Sequence, residues 1–220
     1  MLAALLFDLD GTLTNSDTLH LVAIQQLLLE EDGRSFTEHE FEQHCAGRAN
    51  AQMCMNLFPQ RSITEHQAFA DRKEARFRQL ATQLEPIPGA TRLLDYAEQH
   101  GIGMVVVTNA PRANADHMLA ALGFSERLAR VVVAEELPHA KPHPLPYLTG
   151  LEKLKAEAHV GIAFEDSIPG LTAAKAAGIF TVALATTQSP SALQAAGADL
   201  VIDDYNDPRL WAHIEQMHSA

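Results

Sequence analysis

AALLFDLDGT (residues 3–12) decides how the rest of this chain is read. An apolar run, Ala3–Phe7, stops abruptly in Asp8-Leu9-Asp10-Gly11-Thr12. A short run that is apolar at every position suits a strand covered on both faces, as in a parallel sheet. Side chains alternate along an extended chain, so Asp8 and Asp10 are expected on one side and Leu9 on the other. Gly11 lets the chain turn sharply straight afterwards. Two carboxylates then stand at the carboxyl end of a strand, the edge where open α/β sheets bind ligands. Carboxylates this close repel unless a proton or a cation lies between them.

Working outward, the same kind of run recurs at Met104–Val107, Val131–Val133, His159–Phe164, Thr181–Leu184 and Leu200–Ile202. Helical patterns lie between them, at Gly89–His100, Asn114–Leu122 and Ser167–Ala177, each followed by a glycine stop signal. Strand and helix alternating at this spacing predict an α/β fold with an open, doubly wound parallel sheet. Residues 16–85 break the rhythm. They hold four helix-like stretches, Asp17–Glu31, Thr37–Ala46, Asn50–Phe58 and Thr64–Leu84, and no convincing strand. Ser16 or Asp17, and Ser62 or Thr64, are N-cap candidates, and EPIPG at 85–89 is a boundary signal. The expected organisation is a Rossmann-like core from 1–15 and 86–220 with a small α-helical domain at 16–85.

Composition narrows the function classes. The 220 residues carry 47% hydrophobic content and a formal net charge of −12. With no cluster of lysine and arginine to displace counterions, nucleic acid is not an expected partner. No apolar run approaches the roughly 20 residues that cross a bilayer. The opening MLAALLFDLDG has no basic start and ends in acids, so it is read as a buried strand rather than a secretory leader. Cys45 and Cys54 form no CxxC pair and read as small buried residues of a reducing, cytoplasmic setting. His139 and His143 are four apart, but Pro142 between them argues against a helical metal pair.

Three further segments carry chemistry. Met104–Val107 runs into Thr108-Asn109, a hydroxyl and a turn suited to phosphate oxygens. Lys141 stands among prolines 138, 142, 144 and 146, a stiff backbone for an ammonium near the acidic pair. Another apolar run ends in Glu165-Asp166-Ser167, hard oxygen donors of the kind Mg²⁺ takes, with Asp166 or Ser167 also able to cap the helix that follows.

Together these segments resemble the haloacid dehalogenase superfamily: FDLDGTL (7–13), VVVTNA (105–110), AKPHP (140–144) and FEDSIPG (164–170), in that order. The helical insert resembles the cap of one large subgroup, which holds β-phosphoglucomutases and sugar phosphatases. The resemblance implies a magnesium-dependent phosphatase acting on a small phosphorylated metabolite, a sugar phosphate or a phosphoglycolate-like compound. It implies Asp8 as the nucleophile that becomes an aspartyl phosphate and Asp10 as acid and base. It assigns the transferring phosphoryl group to Thr108, Asn109 and Lys141, and Mg²⁺ to Asp8, Asp10, Glu165 and Asp166. His20, Gly47 and Arg48 match cap positions that face substrate. Asp10 argues against the dehalogenase and phosphonate-cleaving branches. A mutase is the alternative, but Ala46, Asn50, Ala110 and Pro111 stand where the mutase keeps groups for its substrate and second phosphate. A non-catalytic metal- or phosphate-binding regulator is a third reading. A monomer or weak homodimer is expected.

Overall fold

The computed structural model describes residues 1–46 and 48–219. In chain order the elements are β1 (Ala4–Phe7), α1 (Asp17–Asp32), α2 (Glu38–His44), α3 (Asn50–Leu57), α4 (Ile63–Leu80), α5 (Ala90–Gln99), β2 (Gly103–Thr108), α6 (Arg112–Ala121) and β3 (Val131–Val133). After these come α7 (Leu145–Leu154), β4 (Gly161–Glu165), α8 (Ile168–Ala176), β5 (Phe180–Leu184), α9 (Pro190–Ala195), β6 (Leu200–Ile202) and α10 (Pro208–Ser219). The chain divides into two compact units, Met1–Asn15 with Glu85–Ala220, and Ser16–Leu84.

The first unit is a six-stranded sheet in the order β3-β2-β1-β4-β5-β6, parallel throughout. The order reverses direction at β1, between β2 and β4, which makes the carboxyl ends of these strands the switch-point crevice of a doubly wound sheet. Alternation along the strands sorts the core. Leu6, Val105, Val107 and Ala163 pack with Tyr147 and Leu151 of α7 and with Ala173 and Ala174 of α8. On the other parity, Phe7 and Phe164 are register partners whose rings stack 5.0 Å apart, with Tyr205 tilted against both.

The second unit is helical. Phe41, Met53, Cys54, Phe58 and Phe69 join Ile24 and Leu28 of α1 in one apolar cluster. Thr37 and Ser62 each start a helix with a capping box, closed by Glu40 and Glu65. Arg72 and Arg76 of α4 pair with Glu31 and Glu30 of α1, exposed contacts worth roughly 0–1 kcal/mol each. Cys45 and Cys54 are free and buried, and burial pushes the Cys45 thiol up to about 12.

Several boundaries differ from the sequence reading. His159 and Val160 lie in a 3-10 turn, and β4 begins only at Gly161. α4 stops at Leu80 rather than Leu84, short of the extended backbone that precedes Pro86. α6 starts at Arg112 on a Pro111 N-cap. α7 occupies the proline-rich segment read as stiff loop: Pro144 is its N-cap and Pro146 lies in its first turn, where a missing N–H costs nothing. Among the described residues no helix is long and apolar enough to cross a membrane.

Candidate active site

Strand parity brings the first charged groups together. Asp8 continues β1 by donating its N–H to Phe164 O at 2.9 Å. It therefore follows Leu6 onto the α7 side of the sheet, and Glu165 follows Ala163 onto the same side. There the Lys141 ammonium donates to Asp8 Oδ1 at 2.6 Å and to Glu165 Oε1 at 2.5 Å. The buried Tyr147 hydroxyl donates to the same Glu165 Oε1 at 2.7 Å, and the ammonium sits 5.2 Å from the centre of its ring. Glu165 Oε2 accepts from Ser167 Oγ at 3.1 Å, with the main-chain N–H groups of Asp166 and Ser167 at 3.3 and 3.4 Å. Both oxygens of Glu165 are thus engaged by the protein. Gly170 leaves room for this carboxylate; a Cβ there would lie 1.9 Å from its carbon.

Asp166 lies just past the end of β4, with a carboxylate oxygen within 4.8 Å of oxygens of Asp8 and Glu165. Thr187 Oγ1 donates to its Oδ2 at 2.5 Å, while Thr12 Oγ1 lies 3.4 Å from its Oδ1. Gly11, at φ +74°, is where the loop after β1 touches it: a Cβ on Gly11 would stand 2.2 Å from Asp166 Oδ2. Ser167, not Asp166, caps α8, accepting from Gly170 N at 3.2 Å.

Pairing along β1 ends after Asp8. The chain bends at Leu9, and Asp10 forms a bridge with Thr14. No strand therefore enforces the alternation expected for Asp8 and Asp10, yet Asp10 is near enough to add to the repulsion at Asp8. Thr108 ends β2, buried, its Oγ1 accepting from Ala110 N at 2.9 Å. The Asn109 amide holds the Lys141 main chain: Oδ1 accepts from Lys141 N at 3.2 Å, with Nδ2 3.5 Å from Lys141 O. His139 and His143 are exposed on either side of Lys141, with ring centres 4.5 Å apart. His20 and Arg48 belong to the helical unit. His20 stacks on Phe77 at 3.9 Å, and exposed Arg48 donates to Ala46 O at 3.2 Å. Gly47 lies outside the described residues.

The charges do not balance. Asp8, Glu165 and Asp166 are all buried and each offers an oxygen within 4.8 Å of the others, against one buried ammonium. Burial pushes the Asp8 carboxyl up to about 8, helped by Glu165 and Asp10 and resisted by Lys141. Burial also works against the Lys141 ammonium, but Asp8 and Glu165 outweigh it and hold it charged, above its usual value. A buried set of hard oxygens with surplus negative charge fits a divalent cation such as Mg²⁺. Glu165 is engaged by Lys141, Tyr147 and Ser167, Asp8 by Lys141 and Asp166 by Thr187, and all three belong to the group whose oxygens lie close enough together to hold such an ion.

Sequence reasoning missed Tyr147, Thr12, Thr187 and Tyr205, whose hydroxyl donates to Thr12 O at 3.0 Å. Tyr147 carried one signal, its place six residues after Lys141 on the first turn of a helix. Thr12 stood inside the FDLDGTL motif; Thr187 and Tyr205 carried none.

The model of the haloacid dehalogenase-like hydrolase family matches residues 5–184. The validoxylamine A 7'-phosphate phosphatase of Streptomyces hygroscopicus subsp. limoneus is 33% identical over 95% of this chain and 96% of its own length. A phosphoglycolate phosphatase of Rhodospirillum rubrum is 28% identical over 97% and 92%. Among solved structures, a family IA hydrolase from Entamoeba histolytica superposes with a TM-score of 0.89 at 23% identity, over 99% of this chain and all of that one. CbbY from Rhodobacter sphaeroides, in complex with xylulose-(1,5)bisphosphate, gives 0.85 at 22%, over 94% and 96%. At such identities the structural likeness speaks for the fold alone.

Proposed function

The chain belongs to the haloacid dehalogenase-like hydrolases, and on that premise we propose that it is a Mg²⁺-dependent phosphatase of small phosphomonoesters. The substrate class is a sugar phosphate or a phosphoglycolate-like compound, in keeping with relatives named as phosphatases of phosphoglycolate and of phosphorylated carbohydrates. The observation that carries the reading is the buried bridge from Asp8 through Lys141 to Glu165, with Asp166 within reach of the same point.

In this reading Asp8 attacks phosphorus in line with the ester oxygen. The P–O ester bond breaks, and Asp10 delivers a proton to the leaving alkoxide. Water then attacks the aspartyl phosphate, Asp10 takes the water's proton, and the bond to Asp8 breaks to release inorganic phosphate. Splitting the reaction through a covalent intermediate replaces one difficult step by two easier ones. Lys141, held by Glu165 and charged, meets the phosphoryl oxygens without reorganising, and the Thr108 hydroxyl and turn amides lie at the adjacent strand end. Asp8 and Asp166, with Asp10 beside them, would hold Mg²⁺. When bound it supplies the charge that keeps Asp8 ionised and neutralises the phosphoryl oxygens. The helical unit selects the substrate, with His20, Gly47 and Arg48 as candidate contacts.

An aryl phosphate assay with Mg²⁺ and with chelator tests this. Hydrolysis should require Mg²⁺ and vanish in Asp8→Asn; hydrolysis that survives either change would sink the proposal. Turnover only as a bisphosphate-primed isomerisation would favour the mutase reading, and no turnover on any phosphate ester the regulator reading.

A further inference from the structure

We propose that Thr186 and Thr187, at the carboxyl end of β5, form a hydroxyl clamp that positions the Asp166 carboxylate for the cation, so that Mg²⁺ affinity depends on them. The inference rests on the reading of Asp8 and Asp166 as cation ligands. It assigns a role to a segment, 185–188, in which no motif was recognised.

Three backbone segments meet at this point. The loop after β1 brings Gly11, the end of β4 brings Asp166, and the turn after β5 brings both threonines. Thr186 Oγ1 donates to Gly11 O at 2.5 Å. Thr187 Oγ1 stands 2.5 Å from Asp166 Oδ2 and 3.1 Å from Asp166 O. A hydroxyl has one proton, and the carboxylate contact, shorter and charged, takes it. The packing leaves no slack: a Cβ on Gly11 would lie 2.2 Å from Asp166 Oδ2 and 2.9 Å from Thr187 Cγ2. By contrast the direct tie between the β1 loop and Asp166, from Thr12 Oγ1, is 3.4 Å long. The turn after β5 therefore fixes both the rotation of the Asp166 carboxylate and its spacing from the strand end that carries Asp8.

A carboxylate has about four lone-pair sites. A hydroxyl on Oδ2 occupies one of them and stops the group from swinging away, without blocking the carboxylate's approach to a cation. Without it, ordering Asp166 becomes part of the cost of binding. Thr187 acts through Asp166, so it is a positioning residue.

The test is calorimetric titration of the whole, substrate-free protein with MgCl₂, beside melting temperatures and the Mg²⁺ dependence of hydrolysis. Thr187→Val keeps the shape and removes the proton donor. It should weaken Mg²⁺ binding ~10- to 100-fold, the usual effect of losing a group that orients a metal ligand. Thr187→Ser, which keeps the hydroxyl, should restore most of that affinity. Thr186→Val should show a smaller loss in the same direction. Should the valine protein not fold, Thr187→Ala replaces it in the same comparison. A folded Thr187→Val protein that binds Mg²⁺ like wild type, with only its melting temperature lowered, would overturn the clamp and leave the metal reading standing. Failure of Thr187→Ser to rescue would overturn it equally. Wild-type protein that binds no Mg²⁺ would overturn the metal reading and the clamp with it.

Discussion

Each unit of this protein buries a lysine against a carboxylate, and the two arrangements behave oppositely. In the helical unit Lys73 Nζ meets Glu74 Oε1 at 2.7 Å, both side chains almost wholly buried. Burial alone would raise the Glu74 carboxyl, but Lys73, His20 and Asn50 together pull it below its usual value. In the sheet unit one ammonium serves both Asp8 and Glu165, with Asp166 and Asp10 close by, and the Asp8 carboxyl is pushed up to about 8. The chemistry of the partners is the same; the stoichiometry differs. A buried carboxylate met by Lys73, with His20 and Asn50 adding to the pull, is an internally settled charge, whereas several carboxylates around one lysine leave a deficit that a cation or a bound ester can fill.

The sharpest way to break this contrast is to remove one charge from each arrangement. Glu74→Gln leaves Lys73 buried without its carboxylate and should cost ~3–5 kcal/mol of stability, read as a lowered denaturant midpoint. The double change Lys73→Met with Glu74→Leu should recover most of the loss, because apolar groups of similar volume often replace a buried pair at little cost. Asp8→Asn should behave in the other direction. With Mg²⁺ chelated, its melting temperature should equal or exceed that of wild type, since the change relieves an unbalanced site; a clear drop would mean that Asp8 is a structural pair like Glu74. In the same protein the stabilisation that wild type gains from Mg²⁺, about 2.7 kcal/mol at a hundredfold excess over the dissociation constant, should shrink.

The smallest effect concerns charges at the surface. The Thr37 backbone N–H and hydroxyl, followed by Arg34, hold the Glu40 carboxyl down at about 2. Its folded value is depressed, so its contribution is complete above the ordinary value of 4.5 and fades as pH falls towards about 2. Helicity followed by circular dichroism should therefore decline over that window, and Glu40→Gln should flatten the decline. An unchanged acid profile would show that this capping box contributes nothing measurable.

Much of the fold was readable because its signals are local. Ala3–Phe7 is apolar at every position, and a strand buried on both faces demands that pattern. Acids at the end of such a run, at Asp8 and at Glu165-Asp166, mark the carboxyl end of a strand, and the structure buries all three there. What was not readable involved either tolerated exceptions or distant partners. Prolines 144 and 146 disguised α7, although the first turn of a helix is where proline is admitted. Thr187 is an ordinary turn residue until the fold sets it against Asp166, 21 positions earlier in the chain.

By itself, then, the order of residues determined that this chain would form a parallel sheet with carboxylates at strand ends and a helical insertion between its first two strands, because periodicity and burial act on neighbouring residues. Only the tertiary structure decided that Lys141 would reach Asp8 across 133 positions, and that Glu165 would be held by Lys141 and Tyr147. It also set the Asp166 carboxylate against Thr187. The reason is geometric: side-chain parity on adjacent strands determines which charges share a side, and parity across strands exists only once their register is set.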